Sequence, residues 1–425
     1  MYNIEEDQKN KLRIQTIEKC KEKCFENKEE VYSIFSGFTS ALFNIKDSLK
    51  FNLISFNTKF VPSEDIKNNV NLFNKTYSTP NLDILNEKIK QLIYISYRSN
   101  YKPQYTKDNE TEYTSDCGWG CMIRSSQMIL ARGIYKIFKY KERKKGAKID
   151  KNFLIKSVIY FFLDNNLNIQ IDLGQNYYGM ENYIKTIYKL NKSYKGITSI
   201  EPPFNIQKIC ILGELTGKTC GEWFSDYDLP NIYSTINRSF NVFPDVEIIH
   251  FNSNIDLNTF FKRCFIAKDN KNKQEKYITY QKQKYYFNKI GLIFISVRLG
   301  LETILSDYYP SIKNLFKCKE CIGFMGGKTY SASYFIGYVG NELIYMDPHY
   351  NQNSIKNLEK EGINSYIEKS LYKLNFTKLQ TAFTIGFLCR DIDEYIDFLK
   401  YSVDMTKNIF CYYISNGKDL ELDSD

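Results

Sequence analysis

Between Cys121 and Ile137, the residues Met122, Ile123, Ser126, Ile129, Leu130, Gly133, Ile134 and Ile137 recur at three- and four-residue intervals, the period of an α-helix. Apolar and small positions spread this widely predict a helix buried in the protein interior. Further helices are predicted over Asp83–Tyr97, where Ile84, Leu85, Ile89, Leu92 and Ile93 share helical spacing, and over Phe153–Phe162. Buried strands are predicted at Val246–Phe251 and Gly291–Val297, and apolar residues alternate with polar ones between Val31 and Phe60. Ser333–Met346 predicts a hairpin, with Gly340-Asn341 at its turn. No period of 20–50 residues repeats, which excludes a solenoid or propeller. The chain reads as a globular α/β or α+β protein.

At 425 residues it is long enough to bury a core without disulfide help. With 43% hydrophobic residues and only 9 Pro it is neither wholly disordered nor collagen-like. The 11 cysteines are spread from Cys20 to Cys411, and the first 25 residues are charged with no apolar core, so the reading is a cytoplasmic protein with free thiols. No apolar run is long enough to span a bilayer. The net charge of +9 comes from scattered Lys without a compact Arg stripe, so no nucleic-acid partner is expected. Three segments look peripheral: a polar arm at 1–30, an Asn/Tyr/Lys-rich insertion near 165–200, and a Lys/Gln-rich one near 265–290. The catalytic-sized body then spans 31–405, followed by a flexible acidic tail over 406–425.

In Thr114–Gly133 (TSDCGWGCMIRSSQMILARG), Cys121 follows a Gly118-Trp119-Gly120 turn and opens the buried helix. Unpaired N–H groups and partial positive charge at a helix N-terminus favour a thiolate, and the same N–H groups suit an oxyanion. A small core residue at a helix start would leave the same pattern. The chain has only two histidines, so any catalytic imidazole is His250 or His349. His250 lies inside a strand pattern (VEIIHF), whereas His349 follows Asp347 and Pro348 at the end of the hairpin. Residues two apart on an extended chain face the same side, and a carboxylate there orients an imidazole. Asp-Pro is also common in plain surface turns. Tyr97, Trp223 and Arg298 are ambiguous alone. Cys318 and Cys321 form a single CxxC, either redox-active or half a metal site, and with no second CxxC no metal is expected.

Several segments, in order, resemble the autophagins, the autophagy-related cysteine proteases that process a ubiquitin-like modifier. They are YRSNY at Tyr97, TSDCGWGCMIRSSQMILA around Cys121, ELTGKTCGEW ending at Trp223, VRLGL at Arg298, GGKTYSASYFIGYVGNELIYMDPHYNQ over 326–352, and AFTIGFLCRDIDEY. Together they frame about residues 45–400. The resemblance implies an α+β, papain-like cysteine protease fold with a small inserted auxiliary subdomain. It implies Cys121 as nucleophile, His349 as base, Asp347 as its orienter and Tyr97 as a contributor to the oxyanion hole. By the same resemblance Trp223 and the loop 326–331 (Gly326, Gly327, Lys328 and Thr329 among them) gate the groove, and Arg298 contacts the modifier. Trp119 and Trp223 would narrow the groove to glycine-sized side chains. The implied reaction is cleavage after the modifier's terminal glycine and release of the modifier from phosphatidylethanolamine. It needs no cofactor, engages membranes transiently through the lipid-conjugated substrate, and calls for no more than a monomer.

Departures accompany the resemblance. Thr329 stands where the family commonly has proline, and Ser333 replaces a usual histidine. Cys117 adds a second thiol near the nucleophile, so a Cys117–Cys121 disulfide under oxidation is an expectation to test. An aromatic-xx-aliphatic tail motif is absent after Phe398. Two alternatives stay open on sequence grounds: a protease for another ubiquitin-like modifier, and a protein that binds the modifier without turnover.

Overall fold

The computed structural model describes residues 58–105, 111–146, 150–164, 202–267, 276–328, 331–356, 358–367, 369–405 and 409–413. The arm at 1–30, the alternating segment up to Asn57 and the insertion at 165–200 lie outside them. The first long helix, α1, covers Leu82–Lys90. The predicted helix was to continue to Tyr97; instead Leu92–Tyr97 leaves the helix and runs buried at every residue. Its N–H groups find partners elsewhere: Tyr94 donates to the Tyr366 carbonyl and Tyr97 to the Pro348 carbonyl, each within 2.9 Å. Complete burial produced the apolar density that reads as helical spacing.

Strands β1 (Arg98–Tyr105) and β2 (Glu112–Ser115) pair antiparallel, and Gln352–Asn353 joins β1 in parallel. The long helix α2, Cys121–Lys144, follows and is buried along most of its length. Ile129, Leu130 and Ile134 are at most 1% exposed. Burying each side chain of this size stabilises the fold by about 1.5–3 kcal/mol. Helix α3, Lys151–Ile159, is capped by Asp150, whose carboxylate accepts from the N–H groups of Asn152 and Phe153; a 3-10 turn then completes the predicted segment to Phe162. Helices α4 (Ile206–Gly213) and α5 (Asp228–Phe240) flank the segment that carries Trp223.

The main sheet contains β3 (Val246–Asn252), β4 (Ile290–Arg298), β5 (Cys321–Lys328), β6 (Ser331–Val339), β7 (Glu342–Met346), β8 (Leu371–Asn375) and β9 (Ala382–Cys389). Their order is β8-β7-β6-β5-β9-β4-β3, antiparallel except for β4 beside β3. The predicted hairpin is β6–β7, with Gly340 at a φ of 56° in its turn. Both sheet faces are covered. Along β4, Leu292 and Phe294 enter the core shared with α2, whereas Ile293, Ile295 and Val297 enter a second core with Phe398 and Leu399. Two-sided burial explains the nearly unbroken apolar run of β4.

Two segments hold more regular structure than their composition suggests. The segment near 265–290 is, where described, an antiparallel sheet of Phe265–Ala267, Gln283–Phe287 and Tyr277–Tyr280, with Gln281 and Lys282 at positive φ in its turn. Its strand character was masked by Lys and Gln on the exposed side. The tail does not begin at 406: Ile409 and Phe410 are buried, and Cys411–Tyr413 pairs with Asn254–Asp256. The apolar pair draws the chain back into the core before the acidic residues start at Asp419.

Candidate active site

The α2 N-terminus is set by a buried charge, not by a capping side chain on Gly120. Asp116 accepts from the N–H groups of Trp119 and Gly120 through its carbonyl, and its carboxylate accepts from Arg98 N–H at 2.7 Å. The same carboxylate takes Nε and Nη2 of Arg124 at 2.7 and 3.1 Å. Arg124 also pairs with Asp164 at 2.9 Å, and all three side chains are at most 1% exposed. Gly120 presses on Asp116 so closely that a Cβ there would lie 2.3 Å from Oδ2. These contacts hold the turn that sets where Cys121 opens α2. Asp116 and Arg124 escaped the sequence reading because nothing local says that residues eight apart form a buried ion pair.

His349 reaches this thiol from the far side of the chain. It follows β7, and its position is fixed by backbone bonds from Tyr97 N–H to the Pro348 carbonyl and from Gln352 N–H to the Tyr97 carbonyl. Tyr94 hydroxyl donates to the Asp347 carbonyl at 2.8 Å. Within the motif, Asp347 Oδ1 accepts from the His349 N–H at 3.1 Å and is hydrogen-bonded to its ring Nδ1. The tautomer that results leaves Nε2 toward Cys121.

Tyr97 and Ala332 complete the pocket around the sulfur. Both contact Cys121 in one small buried cluster, and the Tyr97 ring meets the His349 ring edge-on at 5.4 Å. Burial by itself raises the Cys121 thiol pKa. The His349 hydrogen bond and charge, the Ala332 backbone and the Tyr97 hydroxyl outweigh it, leaving the thiol below its ordinary range. Burial likewise opposes a charged His349, but the Asp347 charge and hydrogen bond, with Cys121 beside it, raise the imidazole instead. The opposite shifts favour a thiolate–imidazolium pair near neutral pH. Burial and the Cys121 charge keep the Tyr97 phenol protonated and so a donor.

Trp223 is 48% exposed and donates its indole N–H to the Gly118 carbonyl at 2.9 Å, lying across the turn that precedes Cys121. Trp119 is buried, with its N–H on the Ser115 carbonyl at 3.1 Å and its ring against Tyr113. Arg298 ends β4 and turns its guanidinium to the Gly300 and Leu301 carbonyls, 3.3 Å each. In the segment 326–331, which the resemblance makes a gate, Gly326, Gly327 and Lys328 are strand residues paired with Ser333, Ala332 and Ser331. A Cβ on Gly327 would sit 1.9 Å from the Ser331 carbonyl oxygen, so glycine is needed for the hairpin to close. Thr329 lies outside the described residues.

His250 is a strand residue bonded to Ser296. Cys318 and Cys321 are buried free thiols; Cys318 donates to Glu320, and burial pushes Cys321 up to about 12. No disulfide joins Cys117 to Cys121 in the structure. Among the described residues no group of three or more His, Cys, Asp or Glu side chains is disposed to hold a metal, and no helix is long and apolar enough to cross a membrane.

A thiol at a helix N-terminus, a carboxylate-oriented imidazole and nearby donors make an arrangement suited to acyl transfer. Comparison with known proteins agrees. The model of the Peptidase C54 catalytic domain matches residues 82–401. The chain is 26% identical over 365 residues to the cysteine protease ATG4C of Xenopus tropicalis, covering 81% of this chain and 72% of that one. It is 28% identical over 335 residues to the cysteine protease ATG4 of Candida albicans, covering 76% and 58%. Against human cysteine protease ATG4C it is 26% identical over 330 residues, covering 72% and 68%. The chain is therefore a papain-like α+β cysteine peptidase that belongs to the peptidase C54 family, the autophagy-related cysteine proteases that its sequence resembles.

Proposed function

We propose that this protease cleaves a ubiquitin-like autophagy modifier after its terminal glycine, and that the same site frees the modifier from phosphatidylethanolamine. The observation that carries the reading is the juxtaposition of Cys121, Tyr97, His349 and Asp347: Cys121 and Tyr97 share a small buried cluster, the Tyr97 ring meets the His349 ring edge-on, and Asp347 holds the His349 Nδ1. Cys121 thiolate attacks the glycine carbonyl, and the oxyanion is met by the Tyr97 hydroxyl and N–H groups at the α2 N-terminus. The His349 imidazolium protonates the leaving amine, of the following residue or of the lipid headgroup, as the thioester forms. Water then attacks the thioester while His349 takes its proton, and the modifier leaves with a free carboxylate. Asp347 holds the ring in position throughout.

Substrate selection is proposed to come from the entrance. Trp223 over Gly118 leaves little room above the turn, which suits a tail without side chains at its last residue. Arg298 and the exposed Leu301 beside it are proposed to meet the body of the modifier. The lipid-conjugated form would bring the enzyme to membranes only through its substrate.

The test uses purified wild type and Cys121→Ser against an autophagy modifier extended beyond its terminal glycine, and against the lipid conjugate in vesicles. Cleavage after glycine by wild type alone supports the reading. If folded, reduced wild type left both substrates intact but cut the precursor of another ubiquitin-like modifier, the substrate assignment would be wrong.

A further inference from the structure

A second polar constellation lies on the α2 side of the sheet, outside the groups invoked for catalysis. His250 Nε2 is 2.8 Å from Ser296 Oγ, which is 2.6 Å from Thr384 Oγ1; Thr384 donates to Asp226 Oδ2 at 2.9 Å and approaches the Asp226 carbonyl at 3.1 Å. The chain crosses three neighbouring strands, β3, β4 and β9, and ends on the segment that carries Trp223. We propose that Asp226 is a positioning residue for Trp223, latching residues 223–227 over the active-site turn through its bond to Thr384. The proposal rests on the function proposed above only in what it says about substrate entry.

The direction of the chain follows from proton counting. A carboxylate only accepts, so Thr384 spends its single proton on Asp226. Ser296 must then donate to Thr384, and His250 Nε2–H must donate to Ser296. Burial keeps His250 neutral, at about 4, so its single ring proton is the one that Nε2 gives to Ser296. Every proton is thus ordered by the Asp226 carboxylate. Tyr227, the next residue, lays its ring edge-on against His250 at 4.7 Å and closes the far end of the chain.

The latch is placed to act on Trp223. Cross-strand pairs link Thr384 to Met325, two residues before Gly327, and Gly327 to Ala332, the residue that touches Cys121. Thr384 therefore lies on the same sheet face as Ala332, two strands away. The 223–227 segment bridges the two places: the Trp223 indole bonds Gly118 at one end and Asp226 bonds Thr384 at the other. Between them Phe224 is buried and Ser225 bonds Asp228. Phe224 sets the depth of the segment, and Asp226 sets its rotation about that anchor.

The experiment exploits the presence of only two tryptophans. In a Trp119→Phe background, acrylamide quenching and anisotropy report Trp223 alone, without substrate. Thr384→Val keeps side-chain shape but removes the donor. It should raise the quenching constant about twofold and lower the anisotropy, as expected for local loosening of a surface segment. With Trp119 intact it should lower KM for the extended modifier about threefold at nearly unchanged kcat, because a tail must lift Trp223 to enter. Asp226→Ala should reproduce both effects. Ser296→Ala breaks the chain on the far side of Thr384 and should leave quenching unchanged, although it costs thermal stability. Unchanged quenching in both Thr384→Val and Asp226→Ala overturns the latch, as does a Ser296→Ala shift equal to that of Thr384→Val. If the quenching pattern holds and no modifier is cleaved, the latch stands and only the substrate reading fails.

Discussion

Arg124→Met tests whether the buried charges behind Cys121 form one unit. Met retains much of the apolar stem while removing a guanidinium that is 0% exposed and bonds Asp116 at 2.7 and 3.1 Å and Asp164 at 2.9 Å. Removing one partner of a buried pair costs about 3–5 kcal/mol, because the remaining charge is left in a poorly solvating interior. Two carboxylates lose their cation here, so the upper half of that range applies unless one takes up a proton. At about 2 °C per kcal/mol for a large domain, the midpoint should fall by roughly 8–10 °C. Burial already raises the Asp164 carboxyl, and Arg124 opposes it most, ahead of the Ile206 N–H and Arg98. Without Arg124 the folded state binds more protons than the unfolded one above the ordinary carboxylate range, so stability falls as pH rises through that window. The deficit should therefore be largest at neutral pH and shrink toward pH ~5. Denaturant unfolding of wild type, Arg124→Met, Asp164→Asn and the double variant, at both pH values, measures this directly. The double variant should recover at least about 1 kcal/mol relative to additivity. A single-variant loss below about 1 kcal/mol, or a deficit that grows in acid, would refute the argument.

Asp347→Asn should reduce kcat/KM on the order of 10³–10⁴ while Cys121 still reacts with iodoacetamide, and a loss within about threefold would remove Asp347 from its proposed role. The pH profile of that alkylation should turn at a value below the ordinary thiol value of 9.0. Tyr97→Phe should move the inflection upward, since it deletes a donor to the thiolate, and His349→Ala should move it further; an unmoved inflection in both would show that the α2 N-terminus alone activates the thiol. Gly120→Ala forces a methyl into contact with Asp116 Oδ2. It should cost about 1–3 kcal/mol and most of the activity, as followed by thermal unfolding and turnover, whereas free accommodation of the methyl would mean that the turn is not held as tightly as described.

How much of this was legible beforehand differs from residue to residue. With only two histidines, and one of them beside Asp347 at the end of a hairpin, the chain narrowed the search for an imidazole to His349 by counting and local spacing. The helical period after Cys121 likewise named the helix and its first residue, because side-chain burial with a 3.6-residue period is a local property. Strand β4 was readable for the same reason. Where burial is complete, periodicity carries no such information, and Leu92–Tyr97 has helical spacing although the N–H groups of Tyr94 and Tyr97 bond to carbonyls more than 250 residues away.

The sequence by itself determined the helix that presents Cys121, the hairpin that ends at Asp347 and His349, and the family pattern that joins them. Only the tertiary structure decided that Arg124 neutralises both Asp116 and Asp164, that Gly326 and Gly327 belong to a strand, and that Asp226 meets a hydroxyl chain running back to His250. Each of these depends on which side chains share a volume from which water is excluded. A buried charge or hydroxyl must find its partner there, and the partner's distance along the chain is set by topology rather than by any local pattern.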